Sequence, residues 1–188
     1  MKSVSKGYIL SVFLALVMGS VIGVTALAQG NNPALKDLET GAKEYVKRRE
    51  RVERGLPKLP TKATPEQISA HKEALLKAVQ ADRIAFRQGT IFTPEAAALL
   101  RRIIAHEMGG PERVKLREAV LEAENKAVPI RVNYPYPESQ EFLEMPPTLL
   151  MVLPQLPKQL RYRFVGRSML LVDRENNLIV DYMTNAVP

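Results

Sequence analysis

The sequence contains no cysteine, no tryptophan and only two histidines among its 188 residues. Lack of cysteine excludes a disulfide scaffold, a thiolate metal site, a cysteine nucleophile and an N-terminal lipid-modified cysteine together. His106-Glu107 has no second histidine four residues on, because Gly110 stands there, so the helical zinc-protease spacing is missing. Beyond residue 28 the serines are Ser69, Ser139 and Ser168, and none occupies a Gly-x-Ser-x-Gly turn. No glycine-rich phosphate loop occurs either. These gaps predict a protein with no catalytic residue, no metal ligand set and no cofactor.

The N-terminal segment carries the first positive signal. Lys2 and Lys6 are the only charges before Lys36, and an apolar run from Ile9 to Ala28 closes on Ala26-Leu27-Ala28. A basic start, an apolar middle and small residues at the cleavage position are the features of a secretory signal. Cleavage after Ala28 leaves a mature chain from Gln29, in the periplasm or outside the cell. The alternative is an uncleaved anchor, since about 20 apolar residues are enough to span a bilayer. Both readings export the rest of the chain, because the two lysines stay on the inner side. The full sequence has 27 basic and 20 acidic residues, a formal charge of +7, and removal of Lys2 and Lys6 lowers it by two. Such a balance suits an anionic surface or an acidic partner and does not suit a dedicated nucleic-acid binder.

The spacing predicts an α+β fold in which four helices precede a proline-rich connector and a three-stranded antiparallel β-meander packed on those helices. Residues 29–188 form one unit, helical over 29–127 and connector plus meander over 128–188. Asn32-Pro33 and Thr64-Pro65-Glu66-Gln67 and Thr93-Pro94-Glu95 each supply a capping side chain followed by proline at the first helical position. Leu35, Leu38, Ala42, Tyr45, Arg49 and Val52 mark the buried stripe of the first helix, with Gly55 as a left-handed stop. Ile68, Leu75, Val79, Asp82 and Phe86 mark the second, which Gly89 ends. Ala97, Leu100 and Ile104 mark the third, and Val114, Val120, Leu121 and Ala127 the fourth, after Pro111.

Seven prolines between Pro129 and Pro157 forbid a long helix there. Val128, Ile130, Val132 and Tyr134 alternate as a strand does, Tyr134-Pro135-Tyr136-Pro137 reads as an extended connection, and 148–153 as a short helical plug. Three β-rich runs follow at 161–165, 168–173 and 178–182, divided by Gly166-Arg167 and by Arg174-Glu175-Asn176-Asn177. Tyr162 and Phe164 share one face, with Met169, Leu171, Leu178, Val180 and Tyr182 as candidates to join them. Asp173 and Asp181, at strand ends, read as turn and edge residues.

Leu156-Pro157, Tyr162-Arg163-Phe164-Val165-Gly166-Arg167 and Asn177-Leu178-Ile179-Val180-Asp181 resemble the closing segment of a group of exported bacterial proteins without an assigned function. Leu56-Pro57-Lys58-Leu59-Pro60, Ile91-Phe92-Thr93-Pro94-Glu95 and Asn133-Tyr134-Pro135 resemble the connectors of that group. The resemblance implies export and supplies no catalytic residue. The terminal hairpins are also similar to those of small periplasmic nickel/cobalt-homeostasis proteins, a resemblance that would bring metal handling through His71 and His106.

Two basic clusters are the candidate binding residues. Lys47, Arg48, Arg49, Arg51 and Arg54 crowd the last turns of the first helix, where cations also oppose the helix dipole. Arg161, Arg163 and Arg167 alternate with Tyr162 and Phe164 and stand on the outer face of the sheet. The functional expectation is an exported periplasmic or cell-envelope protein that binds an anionic envelope component or another envelope protein. The membrane enters only through an uncleaved signal segment. The alternative is an envelope enzyme or accessory with a site built from Arg, Asp and Glu.

Overall fold

The computed structural model describes residues 32–109, 114, 118, 129–137 and 147–188. The signal segment therefore lies outside the described residues. So does the fourth helix, apart from Val114 and Glu118, both of which have helical backbone. Three long helices are described: α1 (Pro33–Arg54), α2 (Pro65–Asp82) and α3 (Pro94–Glu107). A short helix, α4 (Pro147–Val152), and strands β1 (Leu160–Val165), β2 (Ser168–Asp173) and β3 (Ile179–Met183) complete the chain. No helix among the described residues is long and apolar enough to cross a membrane.

All three long helices begin as their caps predict. Asn32 Oδ1 accepts from the Ala34 amide at 3.0 Å, and Thr64 and Gln67 form a reciprocal capping box. Thr93 Oγ1 accepts from Ala96. Two of the expected ends differ. Gly55 sits at φ −80°, in the right-handed region, and α1 stops because Leu56 precedes Pro57 and is disfavoured in helical conformation. α2 ends at Asp82, a turn earlier than Phe86 and Gly89 suggest, because Arg83 leaves the helix to turn its guanidinium inward. Gly89 instead adopts φ +83° in the loop between α2 and α3.

The sheet is a meander with the order β1-β2-β3, antiparallel throughout. Its first hairpin turns through Gly166 at φ +51° and Arg167, so that Val165 pairs with Ser168 and Leu160 with Asp173. Leu160, Tyr162, Phe164, Met169, Leu171, Leu178, Val180 and Met183 enter one core with Leu38, Tyr45, Leu75, Leu100 and Ile104 of the helices. α4 plugs the same core through Leu149, and Leu153 follows it in.

A bulge in β3 corrects the face expected for Tyr182. Leu171 pairs with Asp181 but Val172 with Ile179, leaving Val180 as the extra residue. Val180 and Asp181 both lie on the helix side, and the alternation beyond them is inverted. Tyr182 consequently packs on the outer face with Val165, Leu170, Val172 and Ile179.

That outer face is covered by the segment expected to be a strand and an extended connection. Asn133, at φ +67°, interrupts the alternation, and an isolated bridge, Pro135 to Leu178, replaces the expected strand at the sheet edge. The amides of Asn133 and Tyr136 donate to the carbonyls of Ile179 and Asn177. Tyr136 is buried as the centre of this second cluster, with Ile130 beside it.

Asp173 and Asp181 are buried too, contrary to their reading as edge residues. Asp181 Oδ2 accepts from the amides of Ile91 and Phe92 at 2.6 and 2.8 Å, and Oδ1 from Gly89 and Tyr182 at 2.9 and 2.8 Å. The carboxylate thus closes the 89–92 loop by gathering amides that no helix or strand satisfies. At the chain end, the Ala186 amide donates to the Arg167 carbonyl and Arg101 donates to that of Thr184.

Candidate functional site

α1 spreads its basic cluster around its circumference. Residues one apart on a helix lie about 100° apart, and neighbours in sequence therefore look in different directions. Lys47 pairs with Glu44 on the surface at 2.7 Å. Arg48 reaches α2, 3.5 Å from Asp82 and over the Phe86 ring. Arg49 is buried under the sheet, Arg51 is exposed, and Arg54 lines a groove with Glu50, Glu53, Leu56, Leu59 and His71. These five residues do not form one cationic face.

Arg161 and Arg163 do belong to a common site. The period-2 rule turns both to the outer side of edge strand β1, and the hairpin register brings Arg174 to the same side, two positions beyond Val172. Together with Lys158 they line a cleft of about 450 Å³ walled by Leu150, Pro154, Leu156 and Pro157. Among the described residues no acidic side chain lines it. Arg161 donates to Asn177 Oδ1, and Arg174 Nε to the Leu160 carbonyl at 3.1 Å. No carboxylate of the described residues lies within ion-pair distance of Lys158 or Arg174, and both side chains are exposed. Arg167, in the hairpin turn, stands apart and donates to the Val187 carbonyl.

Lys158 and Arg174 were not singled out by the sequence, although their proximity follows from it. A two-residue loop at Gly166-Arg167 fixes the register, and that register puts Gln159 opposite Arg174, whose amide donates to the Gln159 carbonyl at 2.9 Å. Counting outward from the turn would have joined Arg174 to Arg161 and Arg163, whereas Lys158, at the parity of Leu160 and Tyr162, reaches the cleft from the chain entering β1.

The same two residues form the rim of a smaller hollow of about 280 Å³, reached also by Arg49, Gln159, Asp173 and Glu175. Arg49 Nε donates to Asp173 Oδ2 at 2.9 Å, Nη1 to Glu53 at 2.8 Å and Nη2 to Glu175. Tyr45 donates its hydroxyl to the same Asp173 oxygen at 2.7 Å, and the Glu175 amide donates to Asp173 Oδ1. Burial acts against the Arg49 charge, but Asp173, Glu53 and Glu175 outweigh it and raise its pKa. Burial, then the adjacent Asp173 charge, hold the Tyr45 hydroxyl well above its ordinary range. Every carboxylate here is held by a fixed donor, which suits a structural clamp and leaves no carboxylate poised as a general base.

His106 approaches Glu107 at 3.3 Å on the surface, whereas His71 lines the groove beside α1. Among the described residues no three His, Asp or Glu side chains gather closely enough to hold a metal ion. No family model, curated protein or solved structure matches the chain.

Proposed function

We propose that the protein is an exported binding module of the periplasm or cell envelope, and that its cleft takes an anionic ligand without chemical transformation. The observation that carries this reading is the pair Lys158 and Arg174, two cations with no carboxylate partner among the described residues, in a cleft that Arg161 and Arg163 also line. Like charges held close together raise each other's energy, and an incoming anion relieves that repulsion. Export is supported by Lys2, Lys6, the run from Ile9 to Ala28 and the small residues that end it.

Polyphosphate serves as a chemically simple anionic probe. Its affinity for the protein should fall steeply with salt, since exposed charges are screened over roughly 8 to 10 Å at ordinary ionic strength. Lys158→Gln with Arg174→Gln should weaken it further, whereas Arg51→Gln on α1 should not. Equal binding by the double variant and the parent would remove the cleft from the proposal. Intact mass of periplasmic material tests the location: loss of the first 28 residues is the expected outcome, and retention of the apolar run would make the segment an anchor.

A further inference from the structure

The lip of the cleft is apolar in an unusual place. α4 begins at Pro147 and makes little more than one turn, so its residues divide sharply between inside and outside. Leu149 is buried in the core, while Leu150, a wall residue of the cationic cleft, is 52 % exposed and Met151 is 83 % exposed. Single exposed apolar residues are ordinary on protein surfaces. Here Leu150 stands on the wall that also bounds Lys158, Arg161, Arg163 and Arg174, and Met151 is the next residue of the same short helix.

Resting on the anion-binding reading above, we infer that this lip and cleft form a docking surface for an anionic lipid bilayer, with headgroup phosphates at Lys158 and Arg174 and with Leu150 and Met151 entering the acyl boundary. Charge complementarity selects the partner. A soluble anion needs only the cations and gains nothing from an exposed Met151. A bilayer supplies both layers in the required order, negative headgroups over an apolar interior, and short apolar side chains flanked by Lys and Arg suit that boundary. Each basic residue near an anionic surface strengthens attachment by about fivefold. Lys158 and Arg174 with two small apolar contacts give reversible attachment, strongly dependent on salt.

The absence of tryptophan makes the test local, because a single introduced indole reports on its own position only. M151W and, as a control, I84W are placed in the full chain; Ile84 is 78 % exposed and follows α2, none of whose residues line the cleft, whereas Met151 adjoins the wall residue Leu150 on α4. Circular dichroism confirms that both variants are folded. Phosphatidylglycerol vesicles should shift the M151W emission to the blue and leave I84W unchanged, and phosphatidylcholine vesicles should shift neither. Lys158→Gln and Arg174→Gln on the M151W background should raise the lipid concentration at half-shift by about 25-fold. An M151W emission that stays red while the chain binds phosphatidylglycerol vesicles, or equal shifts in both reporters, would overturn the docking surface. Retained binding of polyphosphate through Lys158 and Arg174 alongside a silent M151W would reject the bilayer and leave the anion cleft standing. Loss of both would reject the cleft as well.

Discussion

Arg49 and Asp173, separated by 124 residues in the chain, meet at 2.9 Å beneath the sheet and join the last turns of α1 to the end of β2. Asp173 is only 2 % exposed, so its charge depends on the donors around it. Arg49→Met should cost about 3 to 5 kcal/mol, because it strands Asp173, whereas Arg49→Met combined with Asp173→Leu should cost far less than the two single changes together. Urea unfolding of the four species checks it. Additive single and double effects would show that the two charges stand independently.

Tyr45 makes this network sensitive to alkali. Its folded pKa lies well above the ordinary 10.0, pushed up by burial and then by Asp173, and burial raises Tyr162 in the same direction. The unfolded chain therefore releases these protons at lower pH than the folded one does, and stability falls as pH rises above about 10. Below that value the stabilisation is fully present. Tyr45→Phe should lose about 1 to 2 kcal/mol at neutral pH, through the missing hydrogen bond to Asp173, and should flatten the alkaline decline. Denaturant midpoints from pH 7 to about pH 11 decide the matter. An identical slope in the variant would assign the alkaline sensitivity to other groups.

The Asp181 carboxylate is a second long-range tie, in the middle of β3 opposite Leu171. Asn at this position keeps the size but offers one oxygen where the 89–92 loop and Tyr182 present four amides. Asp181→Asn should cost on the order of 3 kcal/mol. It should also speed hydrogen exchange at Gly89, Ile91 and Phe92 before it does so in α1. Uniform protection loss across the protein would mean that the loop is held by other contacts.

The parts of the fold that follow local rules were legible in the sequence. Asn32, Thr64 and Thr93 announce helix starts because capping uses the side chain nearest the exposed amides. The three strands fall within about one residue of their expected bounds because alternation and turn residues are local as well. What the sequence left hidden depends on partners far along the chain. Arg49 sits at a core position of the α1 stripe and is tolerated there only because Asp173 awaits it. Tyr182 changes faces because one bulged residue, Val180, inverts a two-residue period. Half of the binding cluster was visible as Arg161 and Arg163. Arg174 joined them through the hairpin register, and Lys158 through the path of the chain into β1.

Arg83 is the severest test of how this core holds charge. It is 2 % exposed, its Nη2 donates to the Val180 carbonyl at 2.8 Å, and Nε has no hydrogen-bond partner among the described residues. No carboxylate of the described residues lies within ion-pair distance of it, and burial lowers its pKa from the usual arginine value. Two rings take the place of a counter-ion: the guanidinium carbon lies 4.3 Å from the centre of Phe86 and 5.0 Å from that of Tyr45. Desolvated contacts of this kind contribute about 2 kcal/mol each, enough to offset part of the cost of burying the charge. Arg83→Met removes the charge and its cost together, but leaves the Val180 carbonyl at the bulge without this donor, so a loss of about 1 to 3 kcal/mol is expected. Arg83→Lys should be worse, although it keeps the charge, because an ammonium is more strongly hydrated and cannot stack flat against a ring. Thermal melts at neutral pH rank the three proteins. A lysine variant as stable as the parent would show that the rings recognise charge alone, and that the planar guanidinium has no special place between α1, α2 and the β3 bulge.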